Sequence, residues 1–121
     1  MDVIYSYTRK QALADGVLVD VTELARDAEI RHPTAITAAV WNEYVLVPAG
    51  VTCQDQIGRL WDIVWMLYAE IRKSFSDTSE IQYQLYVRNN ERSAELVTLK
   101  AICGPGDQGE PVITIMLPDE D

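Results

Sequence analysis

Nine residues near the end of the chain, Cys103-Gly-Pro-Gly-Asp-Gln-Gly-Glu-Pro111, hold the densest collection of groups suited to meeting a ligand. Gly104, Gly106 and Gly109 carry no Cβ, so a backbone built from them can approach a ligand or a partner closely. The carboxylates of Asp107 and Glu110 suit a cation, a ribose hydroxyl or a basic side chain. A two-residue turn would join the flanking strands, and a connection longer than geometry requires often carries a role. We therefore read Gly104, Gly106, Asp107, Gly109 and Glu110 as an interaction loop. It is not a phosphate-gripping P-loop: Gly-Lys-Ser/Thr is missing, and a strand follows where a helix N-terminus would be needed.

Other candidates are sparse. Arg88 and Arg92 flank a turn and suit contact with a phosphate. His32 is the sole histidine, and its place before Pro33 at a helix start fits capping or packing better than proton transfer. One histidine, two separated cysteines and scattered acids give no metal-ligand spacing, so no metal site and no cofactor are expected. Neither Cys53 nor Cys103 stands in a nucleophile motif; both read as buried, reduced thiols, and no catalytic residue is assigned. Trp41, Trp61 and Trp65 fall on helices at core spacing.

The chain of 121 residues is 48% hydrophobic and 24% charged, the balance of one globular domain over 1–121. Nineteen acids against ten bases give a net charge of −9, which disfavours a sequence-independent grip on nucleic acid. Asp107, Glu110, Asp119, Glu120 and Asp121 face no base after Lys100. The apolar run over 63–69 is far short of the roughly 20 residues of a membrane span. The start lacks the basic and apolar segments of a secretory signal, so a cytoplasmic setting is expected.

The elements that would position these groups come in two halves. Residues 3–7 suit an edge strand or a segment packed under the core. Thr8 with Gln11 forms a capping box for a short helix that Asp15-Gly16 stops. Residues 17–21 are β-branched and extended, Thr22 caps a second helix over 23–29, and His32-Pro33 breaks it. A third helix opens at Pro33 or Thr34, with Ile36, Val40 and Tyr44 on one face. Thr52 with Asp55 caps a long fourth helix. Its apolar stripe runs through Ile57, Leu60, Trp61, Val64, Leu67, Tyr68 and Ile71, and Asp55, Arg59, Asp62, Glu70 and Lys73 lie opposite. Ile63, Trp65 and Met66 widen the stripe, so this helix reads as central and covered on most sides. After a polar linker at 74–79 the period changes to two: Ile81, Tyr83, Leu85 and Val87 form a half-buried strand, 88–92 a turn, and 96–102 and 112–117 two further strands. The expectation is an α+β fold of four N-terminal helices followed by a three- to four-stranded antiparallel meander with the long helix packed on it.

Two segments carry a resemblance to a known family. They are Ile4-Tyr-Ser-Tyr-Thr8 with Gln11-Ala-Leu-Ala-Asp-Gly-Val-Leu-Val-Asp-Val21, and Cys103-Gly-Pro-Gly-Asp107 with Gly109-Glu-Pro-Val-Ile-Thr-Ile-Met-Leu-Pro118. Through them the chain resembles a family of small domain-of-unknown-function proteins of bacteria, phages and plasmids. The resemblance implies a mobile-element setting and no particular activity. With the charge it sets the leading expectation: a non-enzymatic acidic protein that binds a host protein, as in anti-restriction or anti-CRISPR counter-defence. Two alternatives stand beside it. One is an RNase-toxin-like enzyme using Arg88, Arg92 and His32; the other is a binder of a small molecule or nucleotide signal. A homo-oligomer stays open.

Overall fold

The computed structural model describes residues 7–52, 54–73, 79–90 and 92–120. The expected strand at 3–7, Cys53 and most of the linker at 74–79 lie outside them, save Tyr7 and Ser79. The order of elements is α1 (Arg9–Ala14), β1 (Leu18–Asp20), α2 (Thr22–Asp27), β2 (Thr34–Thr37), α3 (Ala38–Val40), a π-helical turn (Trp41–Val45), α4 (Gln56–Lys73), β3 (Glu80–Val87), β4 (Glu95–Pro105) and β5 (Pro111–Met116). This corrects the expected order of four helices and then a meander. Strands begin among the short N-terminal helices, and the sheet is a mixed one of five strands in the order β1-β2-β5-β4-β3. Its β3-β4-β5 part is antiparallel, whereas β2 lies parallel to β5 and antiparallel to β1.

The expected third helix fails first at β2. Thr34, Ala35 and Ile36 are all buried, because β2 lies between β1 and β5 with both of its faces covered. Such a strand shows no alternation of period two, and its apolar residues can mimic helical spacing together with those just after it. Thr37 then turns the chain, its hydroxyl accepting the Val40 N–H at 3.2 Å. The next turn is wound at π pitch, with Leu46 N–H donating to Trp41 O at 2.9 Å, so the fully buried Val40 and Val45 fall one wide turn apart.

One face of the sheet carries Ile36, Ile113, Ile115, Leu99, Ala101, Tyr83 and Leu85 against Leu60, Ile63, Val64 and Leu67 of α4 and Ala25 and Ala28 around α2. Tyr83 fastens α4 to β3, its hydroxyl donating to Ile63 O at 3.0 Å, and burial pushes its phenol well above the ordinary range. Helix α4 begins four residues after Thr52; Asp55 supplies its cap, Oδ1 accepting Gly58 N–H at 2.6 Å. Its sides depart from the expected ones. Arg59, placed on the polar side, is 4% exposed, whereas Ile57, Trp65 and Met66 are exposed. Trp61 and Trp65 stack at 5.9 Å between ring centroids, with only Trp61 packed against the core.

Part of the other face of the sheet is covered by α1 beside β1 and by the end of the chain. Glu120 Oε2 accepts the Thr37 hydroxyl at 2.8 Å and Leu117 N–H at 2.7 Å, and Lys100 Nζ donates to Glu120 O. Part of the acidic tail is thus bound into the fold. No described helix is long and apolar enough to cross a membrane.

Candidate binding cleft

The β4–β5 connection is shorter than the sequence suggests, since β4 runs on to Pro105 and β5 opens at Pro111. Residues 106–110 alone make the turn. Gly106 N–H donates to Glu110 O at 2.6 Å, and Gly109 N–H to Gly106 O at 3.0 Å. Gly109 sits at φ 80°, a region that a side chain would strain. A Cβ on Gly106 would stand 2.5 Å from the Glu110 carboxylate, which folds back to accept Gln108 N–H at 2.9 Å. A Cβ on Gly104 would meet nothing within 4 Å, so that glycine answers to no close contact here.

Asp107 points at the start of α1. Its Oδ1 accepts Arg9 N–H at 2.8 Å and its Oδ2 accepts Lys10 N–H at 3.0 Å. These backbone N–H groups, first Arg9's and then Lys10's, hold its carboxyl below the usual carboxylate range. Thr8 and Gln11 form the expected capping box on the same end, Gln11 N–H reaching Thr8 Oγ1 at 3.0 Å and Thr8 N–H reaching Gln11 Oε1 at 2.8 Å. The first three N–H groups of this six-residue helix therefore all have acceptors. Arg9 completes the join from the other direction. Its guanidinium donates to Thr114 Oγ1 at 2.7 Å and Ile113 O at 2.9 Å. Burial lowers its pKa, and the carboxylates of Asp20, Asp107 and Glu110 oppose that shift.

Between α1, β1 and the turn lies a cleft of about 230 Å³ whose polar lining includes Arg9, Lys10, Asp20, Thr22, Asp107 and Glu110. Asp20 Oδ1 accepts both the N–H of Thr22, at 3.0 Å, and its hydroxyl. Thr22 is thus the first residue of α2 and not the cap expected of it; the N-cap is Val21, without a side-chain bond. An ionised carboxylate offers about four acceptor sites, so Asp20, Asp107 and Glu110 keep capacity for donors entering the cleft. The lining suits the ammonium or guanidinium of a basic side chain.

The other predicted residues stand elsewhere. Arg88 and Arg92 flank the β3–β4 connection, where Asn90 Oδ1 accepts the N–H groups of Arg92 at 2.8 Å and Ser93 at 3.0 Å. That connection and the 106–110 turn lie at opposite ends of β4, an eleven-residue strand, roughly 30 Å or more at about 3.4 Å per residue. The glycine turn and these arginines cannot share one small ligand. His32 is exposed at the start of β2, whereas the sheet register puts Arg88 at the end where β2 finishes, so the three groups of an RNase-like site are not assembled. Cys103 is half-buried against the core. No cluster of metal ligands occurs among the described residues.

Sequence reasoning named Asp107 and Glu110 but missed the contact of Asp107 with Arg9. Nothing local to Arg9-Lys10 signals the contact, because Asp107 lies 98 residues further on. An α+β fold on a five-stranded mixed sheet, with a cleft lined by both acids and bases at its α1 corner, defines the class. The chain belongs to the family of unknown function DUF6573, whose model matches residues 1–121. No curated protein and no solved structure matches it.

Proposed function

We propose that this chain is a non-enzymatic binding protein of mobile-element type that takes a basic side chain of a host protein into the cleft beside the 106–110 turn. The observation that carries this reading is the gathering of Asp20, Asp107 and Glu110 beside Arg9 and Lys10, one more acid than base, in a chain of net charge −9. Acidic surface of this kind steers and orients a basic partner more than it supplies raw affinity. We place the encounter in the cytoplasm, and the resemblance to proteins of bacteria, phages and plasmids points to a restriction or CRISPR component as the kind of target.

Affinity capture from bacterial lysate, compared between the native chain and an Asp20→Asn/Glu110→Gln variant, tests the proposal. Neither substitution touches the Asp107 contacts that hold α1. The expected result is a captured protein with a basic surface, lost on raising the salt and lost in the variant. Equal capture by the two chains, or no capture at low salt, removes this reading.

A further inference from the structure

Strand β3 ends the sheet on its side, and among the described residues no strand pairs with its outer edge. The register fixes which groups face outward. Cys103 N–H donates to Ser79 O at 2.7 Å, so odd-numbered residues of β3 bond to β4, and the N–H and C=O of Gln82, Gln84 and Tyr86 point away from the sheet. Apolar groups flank this edge on both faces: Trp65 (45% exposed) and Met66 (38%) on α4, and Tyr86 (67%) and Leu96 (52%) on the face opposite the core. Two hollows adjoin at Met66 and Gln84. One, of about 230 Å³, extends toward Asp62 and Tyr86; the other, of about 400 Å³, toward Lys73 and Gln82. A long edge strand bordered by exposed apolar side chains is a template for pairing with another strand.

We propose that a second copy of this chain covers the edge, β3 pairing antiparallel with its counterpart about a two-fold axis at Gln84, so that the two sheets join. The side chains are self-complementary about that residue. Pairing Gln84 with Gln84 of the second copy sets Gln82 opposite Tyr86 and Glu80 opposite Arg88 of the second copy, each acid meeting a base. On the flanking helix Met66 borders both hollows at the level of Gln84, Asp62 lies toward Tyr86, and Glu70 and Lys73 lie toward Gln82, so the axis carries Asp62 of one copy toward both Glu70 and Lys73 of the other, and the strand's own charges set the register. A strand from an unrelated protein would match Glu80 and Arg88 only by coincidence. Because each copy carries a net charge of −9, added salt screens their mutual repulsion and tightens the pair.

Sedimentation equilibrium of the full chain, over a concentration series and at two salt concentrations, tests this. The expected result is a reversible dimer that is tighter at the higher salt. Gln84→Pro deletes an N–H that points away from β4, leaving the β3–β4 ladder intact while blocking the pairing at the axis. Gln84→Lys sets two like charges side by side across the axis and decides the matter if the proline variant loses its native circular dichroism. Each substitution weakens the dimer by roughly tenfold or more. Glu80→Arg alone weakens it, and adding Arg88→Glu restores it, a rescue expected of antiparallel self-pairing in this register. A chain that stays monomeric at every concentration, an edge that binds another protein's strand in preference to its own, or a dimer indifferent to Gln84→Lys overturns the proposal.

Discussion

Replacing Arg59 tests how α4 is held to the loops around its first turns. The side chain is 4% exposed; Nη1 donates to Leu46 O at 3.2 Å and Nη2 to Asn89 Oδ1, while Nε makes no bond. Asn89 passes the tie on, its Nδ2 donating to Glu43 O at 3.0 Å, so one buried cation links α4, the π turn and the β3–β4 connection. A hydrogen bond to a charged group contributes about 1.5–3 kcal/mol, so Arg59→Ala forfeits roughly 3–6 kcal/mol from the two. Removing a desolvated cation with one unmet donor returns part of this, on the order of 1–3 kcal/mol. The expected net loss is about 3 kcal/mol, a fall of about 10 °C in Tm at roughly 3–5 °C per kcal/mol for a chain of this length. Arg59→Met keeps the apolar stem and sheds the charge, so it should cost only about 1 kcal/mol. Urea unfolding followed by tryptophan fluorescence measures both, and a double-mutant cycle with Asn89→Ala isolates the Arg59–Asn89 bond. Equal losses for Met and Ala, or additive effects in the cycle, would refute this division between charge and packing.

Further expectations concern the corner that holds the cleft. Asp107→Ala should speed hydrogen exchange at the Arg9 and Lys10 amides while leaving core amides such as Leu67 and Leu99 unchanged. Because the folded pKa of Asp107 is depressed, its contribution to stability is present above its ordinary value near 3.8 and disappears as pH falls through the lower folded value. Protection of α1 should therefore persist to more acidic pH than an unperturbed carboxylate would allow, and Asp107→Asn should abolish that acid limb. Among the turn glycines, Gly109→Ala should cost about 1–2 kcal/mol for its left-handed backbone, as read from the urea midpoint. Gly104→Ala should be neutral, and Gly106→Ala should displace the Glu110 carboxylate and expose the Gln108 amide to exchange.

How far the fold is legible depends on what each residue's neighbours in sequence reveal. The capping box at Thr8, the stop at Gly16 and the alternation along β3 are local signals, and the chain takes those conformations. Strand β2 leaves no such trace: covered on both faces, it shows three buried residues in a row, and only its partners β1 and β5, distant in sequence, make it a strand. Arg59 and Trp65 depart from their expected sides for a related reason. A polarity stripe ranks side chains by type, whereas the helix meets Leu46 and Asn89 beside its arginine and an open strand edge beside its tryptophan.

The interaction loop shows where reading a site from composition stops. Three glycines and two acids in nine residues suggest a connection free to bind something, yet strands take up both ends, and two of the glycines answer to the turn's own geometry. Asp107 already spends an acceptor of each oxygen on the backbone of α1, a duty that an exposed acid in a loop does not advertise. Swapping the connection for a tight Asn-Gly turn would thus remove a helix cap along with the loop, so loss of binding in such a variant would not distinguish a site from a scaffold. Asp20 and Glu110 do distinguish them. Both border the cleft, neither caps α1, and a partner that still binds after they are neutralised must be using some other part of this surface.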